Sequence, residues 1–211
     1  MELRERRFLI TGIFSILCVA AALIFLSMQY LNTIEEQTQR LVEDVQSRAL
    51  YVERAFEHEL EEERKFGLGA GLALIETLEQ FDEAHPSFAK FGKTGEFQLA
   101  KLENGNIHFH LGHNPKDVKA PGLDQITAQE LQPMKYALSQ KSGTMIIPDY
   151  RGRMALTAYG PVKNLEVGIV AKIDVDEISK PFIILGSVVV AVFSLLMAIE
   201  VLFYTRGHAP E

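Results

Sequence analysis

Asp149, Tyr150, Arg151 and Arg153 crowd one short stretch of the chain around Gly152. A guanidinium in a half-buried pocket reads a carboxylate through two parallel hydrogen bonds, and an aspartate beside it holds an amine. Together these groups suit a small-molecule ligand of the amino-acid or organic-acid class. The plainer role is structural: Asp149 caps a turn, and Arg151 pairs with it or faces water. If the stretch that follows is extended, Arg153, Ala155, Thr157 and Tyr159 share one face of a strand, and Met154, Leu156 and Ala158 share the other. The first set carries a cation, a hydroxyl and a phenol and suits a pocket; the second suits packing on a helix. Lys172 and Asp174 share a face of the next strand, and its register decides whether they join that pocket. The candidate ligand-binding residues are therefore Asp149, Tyr150, Arg151, Arg153, Thr157, Tyr159 and Lys172.

His108-x-His110 puts two imidazoles on one face of a strand, with His113 just beyond. Such residues chelate zinc, nickel or copper, or respond to pH. No third ligand stands at a diagnostic spacing, and histidines on the solvent face of a strand are common, so neither a metal nor another cofactor is expected. There is no G-x-S-x-G and no H-E-x-x-H. The one cysteine, Cys18, lies in an apolar block, which excludes an intrachain disulfide. The sequence does not read as an enzyme.

These residues must be positioned by a sheet. Residues 143–178 read as three antiparallel strands, at 144–148, 153–162 and 166–174. The turns between them are Asp149–Gly152, with Gly152 free to take positive φ, and Lys163-Asn164. Upstream, 97–102 and 107–111 read as two more strands joined through Asn104-Gly105, a strong hairpin signal. Residues 87–95 and the Pro- and Gly-bearing 114–125 read as loops, and a long loop in a compact domain often covers a binding site. One turn at 127–131 and a helix opening with Pro133 precede the meander.

Ahead of the sheet, residues 32–64 hold no glycine or proline. Leu31, Ile34, Thr38, Leu41, Val45, Val52 and Phe56 form a near-heptad stripe with a gap at Arg48, which suits a partner helix, and hence a homodimer, as well as the helix's own domain. Glu36/Arg40, Asp44/Arg48 and Glu61/Lys65 are i,i+4 pairs, and the acidic run 57–63 reads as a solvated face. Gly67, Gly69 and Gly71 break this helix without making a phosphate loop, and residues 72–81 are helical again until His85-Pro86.

The turn Asp149-x-Arg151-Gly152, the strand Ala158-Tyr159-x-Pro161-Val162 and the strand Val170-Ala171-Lys172-Ile173-Asp174 resemble the Cache family. Residues 91–96 and 137–143 look similar too, so the resemblance covers roughly 88–182. It implies a single Cache domain: a PAS-like extracytoplasmic ligand-binding domain of bacterial transmembrane receptors such as sensor histidine kinases, diguanylate cyclases and chemoreceptors.

Two uncharged blocks, 8–30 and 181–204, are each long enough to cross a hydrocarbon core of ~30 Å. Arg4, Arg6 and Arg7 in front of the first favour a cytoplasmic N-terminus and a retained anchor over a cleaved signal peptide. Glu200 lies about a turn from the inner boundary and is tolerated there. The expected organisation is a cytoplasmic 1–7, a first span at 8–30, a helical segment at 31–85, a sensor domain at 86–180, a second span at 181–204 and a cytoplasmic tail at 205–211. The expected fold is α+β, a PAS-like five-stranded antiparallel sheet on a long N-terminal helix between two transmembrane helices. Seven residues after the second span hold no kinase, cyclase, HAMP-like or methyl-accepting pattern, so a signal would pass to a cytoplasmic domain or protein beyond this sequence. The expected setting is a bacterial inner membrane, with lipid around both spans. The net charge of −7 comes largely from residues 32–83, which carry 14 acidic and 5 basic side chains; that balance argues against a nucleic-acid partner.

Overall fold

The computed structural model describes residues 3–65, 67, 69–82, 90–103, 106–111, 129–149 and 151–206. No glycine or proline stands between Gly12 and Gly67, and Leu3–Lys65 accordingly forms one unbroken helix, α1. The apolar block and the acidic segment, read separately from sequence, are thus parts of a single element. Gly67 follows its end at φ +76°, with its N–H donating to the Arg64 carbonyl, a stop that only a residue without Cβ makes cheaply. Helix α2 is Ala70–Asp82, α3 is Gln132–Leu138 with a proline in its first turn, and α4 is Val175–Arg206.

The chain divides into two compact units. One is Met1–Glu35 with Ile178–Glu211; the other is Glu36–Glu177. In the first, the N-terminal part of α1 and most of α4 pair antiparallel. Phe8 stacks on Tyr204 at 4.7 Å between ring centroids, and Tyr30 meets Phe182 edge-on at 5.6 Å. Between these pairs the Thr11 hydroxyl hydrogen-bonds the Glu200 carboxyl. Both helices are long and apolar enough to cross a membrane, and their apolar windows are unburied within the protein.

The second unit is built on an antiparallel sheet of strands β1 (Lys90–Phe91), β2 (Gly95–Glu103), β3 (Asn106–Leu111), β4 (Gly143–Pro148), β5 (Met154–Val162) and β6 (Val167–Asp174). The order is β1-β2-β6-β5-β4, with β3 also on β2. Five of these strands are the expected ones. The sixth, β1, was hidden in a stretch that reads as loop, because it is two residues long and ends at a glycine turn. Register Glu103↔Asn106 closes the β2–β3 hairpin; Asn104 and Gly105 themselves lie outside the described residues. So do His85, Pro86 and the expected loop at 114–125.

Alternation gives the sheet two faces. One packs on α1, whose Leu41, Val45, Ala49 and Val52 are buried. Gly160 sits so close to this helix that a Cβ there would lie 3.2 Å from Val45, and Glu53 accepts the Lys163 backbone N–H at the β5–β6 turn. The gap in the stripe at Arg48 is filled by the residue itself: its guanidinium lies 3.6 Å from the Phe97 ring centroid, a cation–π contact that also buries the side-chain stem. Two of the expected helical ion pairs take other forms. Lys65 reaches Glu62 at 2.5 Å rather than Glu61, since i,i+3 is as close as i,i+4 on a helix surface, and Arg48 turns to Phe97 with Asp44 acting on it at longer range. Glu36–Arg40 forms as expected. The other face is covered by α3, where Met134 and Ala137 bury against Ala100 and Val170.

Candidate functional site

Register answers the question that sequence left open. Thr157 pairs with Lys172 and Ala155 with Asp174, so both polar residues of β6 point to the face that carries Ala155, Thr157 and Tyr159. A cleft of about 440 Å³, part of it open solvent, lies on this face beside the start of α3. Lys172 and Thr157 line it with Gln98, Phe109, Glu130 and Asp149. Lys172 is buried, and its Nζ stands 3.4 Å from Glu96, the residue directly across on β2. Thr157 is buried at the floor. Tyr159 is half-buried further along the face, packs against the α3 core and lies 5.6 Å from Tyr136 between ring centroids.

The Asp149 turn takes the structural role. Its carboxylate accepts the backbone N–H groups of Arg151 at 2.8 Å and Arg153 at 3.1 Å, and the Arg151 Nε–H at 2.6 Å. Arg151 Nη2 reaches across to Asp174 at 2.5 Å, and Arg153 approaches the same carboxylate at 3.4 Å. The side chains of Asp149 and Asp174 are 2 % and 1 % exposed, that of Arg151 32 %. The carboxylates that this arginine reads are the protein's own. Removing it would leave two buried anions short of a partner, on the order of 3 kcal/mol. The network fastens the β4–β5 turn to the end of β6.

A second grip holds the same place. The turn after β1 folds round the Glu177 carboxylate, which accepts the backbone N–H groups of Lys93 at 3.0 Å and Thr94 at 2.8 Å and the Thr94 hydroxyl at 2.6 Å. Thr94 Oγ1 in turn accepts the Asp174 N–H. Gly92 makes this possible: its φ is +58°, and a Cβ there would stand 3.0 Å from Glu177 Oε1. Burial alone would raise the Glu177 pKa, but the hydrogen bonds from Thr94 and Lys93 outweigh it and hold the carboxyl below its ordinary value of 4.5. Residues 174–177, where β6 becomes α4 without a linker, are thus held from both sides. Glu177 and Thr94 escaped sequence reasoning, because backbone donors leave no trace in residue type.

His108 is exposed and His110 half-buried; among the described residues no group of three or more His, Cys, Asp or Glu side chains could hold a metal. His113 and Tyr150 lie outside the described residues. The acidic run on α1 is not uniformly a solvated face, because Glu63 is buried. No family model, curated protein or solved structure matches the chain.

Proposed function

We propose that the chain is the sensing module of a two-span bacterial inner-membrane receptor, with a single Cache, PAS-like domain outside the cytoplasm. Its ligand is a small amino acid or organic acid bound in the cleft, and its signal passes through α4 to a cytoplasmic domain or protein. One observation carries this reading: β6 lines the cleft through Val170 and Lys172 and three residues later, at Val175, becomes α4. A ligand that favours one position of β6 therefore acts on the first turn of the helix that leaves the domain, and it shifts the receptor by as much as its affinities for the two arrangements differ. The antiparallel sheet with its long N-terminal helix is compatible with the PAS-like architecture. The lysine, amide and hydroxyl that line the cleft suit a carboxylate-bearing ligand, and unbroken α1 and α4 give the domain two continuous connections toward the membrane. The stripe from which a homodimer is expected is largely taken up by the domain itself, with Leu41, Val45 and Val52 buried; a dimer through α1 would use other residues, such as the exposed Leu50 and Tyr51.

The test is a thermal-shift screen of the full chain in lipid nanodiscs against amino acids and organic acids. A ligand at 100 times its dissociation constant adds about 2.7 kcal/mol to stability. The shift is expected to be lost in Thr157→Val and Lys172→Met and kept in Lys163→Ala, which alters an exposed turn. A screen with no hit, or a hit indifferent to both cleft changes, overturns the proposal in favour of a module that docks another protein, for which Ile146 and Met154, exposed on β4 and β5, offer an apolar surface.

A further inference from the structure

Helices α1 and α2 are joined by two polar rungs. In one, Gln80 Nε2 donates to Glu59 Oε1 at 2.7 Å. In the other, one turn further along both helices, the Glu63 carboxyl faces that of Glu76. Residues 59 and 63 are one turn apart on α1, and 76 and 80 one turn apart on α2, so the rungs stack along an antiparallel pair of helices. The Gln80 rung is complete at any pH, since an amide donates and a carboxylate accepts. The Glu63–Glu76 rung joins two carboxyl groups, which repel when both are ionised and bond only when one carries a proton. Glu63 is 8 % exposed, and its Oε2 is buried with no hydrogen-bond partner. That atom is where a proton, or the charge it cancels, has to be accommodated.

We propose that Glu63 and Glu76 form a proton-operated latch: uptake of one proton, shared between the two carboxyl groups, fastens α2 to the end of α1, and its release loosens α2. The reaction is the simple one: an ionised Glu63 carboxylate takes a proton from water and donates it in a hydrogen bond to Glu76. The proposal stands apart from the cleft and its ligand. The surroundings favour it. Burial first, then the negative charges of Glu76 and Glu59, push the Glu63 carboxyl above its ordinary 4.5. A carboxyl raised in the folded state contributes stability that is complete below the unfolded value and is lost as pH climbs through the folded one; α2 is therefore docked in acid and released toward neutral pH. Glu59 on α1 and Glu76 on α2 are the charges that act on Glu63. The described titratable groups of β3, which also packs on α2, are His108 and His110.

Hydrogen–deuterium exchange of the full chain in nanodiscs, corrected for intrinsic rates and followed in the peptide covering 70–82, reads the latch directly. Protection of α2 is expected to fall as pH rises from 5 to 8, by up to tenfold per unit separating the folded and unfolded Glu63 pKa values, roughly. Glu76→Gln rebuilds the second rung in the image of the first, with a permanent donor, and Glu63→Gln does so from the other side. Each is expected to hold α2 at its acid level of protection across the range, while a His108→Ala, His110→Ala double variant keeps the wild-type step. A wild-type α2 insensitive to pH, a step that survives both glutamine variants, or one abolished by the histidine changes overturns the latch.

Discussion

A carboxylate that accepts three hydrogen bonds is stabilised in its charged form, and Glu177 shows what this does to the pH response. Its pKa in the folded protein lies below the ordinary value of 4.5, so the stability it contributes is present above that value and disappears as pH falls through the folded one. Glu63 has the opposite sign. It gains as pH falls toward 4.5 and has nothing more to give below it. The Glu36–Glu177 unit should therefore be most stable near the ordinary carboxyl range, with the neutral-side slope set in part by Glu63 and the acid-side slope in part by Glu177. Melting curves of the full chain between pH 3 and 8 check this. Glu177→Gln keeps an acceptor oxygen but loses the charge; it is expected to flatten the acid limb and leave the neutral limb alone. An acid limb unchanged in that variant would assign the loss of stability to other carboxylates.

At the scale of elements, the sheet was legible where side chains alternate and illegible where the backbone does the work. The β5 pattern of Ala155, Thr157 and Tyr159 against Leu156 and Ala158 was enough to separate its two faces, and the Asp149–Gly152 turn was written in its residue types. Register was not written there, and it decided that Lys172 joins the cleft. Hydropathy marks the start of the second apolar block at Pro181, not the start of the helix that carries it. The helix begins at Val175 instead, where Glu177 is fixed from outside it, and Pro181 is carried in the interior with its missing N–H opposite the Glu177 carbonyl. The approach of α3 to the sheet was equally silent in sequence. It depends on Gly168, where a Cβ would stand 2.9 Å from the Ala137 Cβ and 3.0 Å from the Met134 Sδ. Gly168→Ala must push α3 off β6 and is expected to destabilise the protein by about 1–3 kcal/mol, the usual cost of overpacking. Since α3 borders the cleft, binding of the proposed ligand should weaken with it. A melting temperature equal to wild type would mean that α3 is held loosely enough to yield.

At the scale of the whole molecule, the apolar hairpin carries its own ruler. Phe8 and Tyr30 are 22 residues apart, and so are their partners Tyr204 and Phe182. At 1.5 Å per residue both intervals are about 33 Å, a match to the ~30 Å hydrocarbon core of a bilayer. Aromatic rings collect at the two interfaces of a membrane, and here they come as one stacked and one edge-on pair that join one helix to the other at each end. Arg6, Arg7 and Arg206 lie beyond one pair and Lys180 beyond the other, as charges excluded from hydrocarbon should. Glu200 then sits four residues inside the Phe8–Tyr204 pair, with Thr11 on the facing helix as its hydrogen-bond partner, a pairing that favours one register of the hairpin over a slipped one. The chain has no tryptophan, so a single introduced indole reports depth without background. In vesicles of lipids brominated at different positions along the acyl chain, Phe182→Trp and Tyr204→Trp are expected to be quenched most by the shallowest bromines. Val192→Trp, midway between them, is expected to be quenched most by the deepest. If the order reverses, or all three report one depth, the aromatic pairs do not mark the interfaces, and the hairpin does not cross the bilayer in this register.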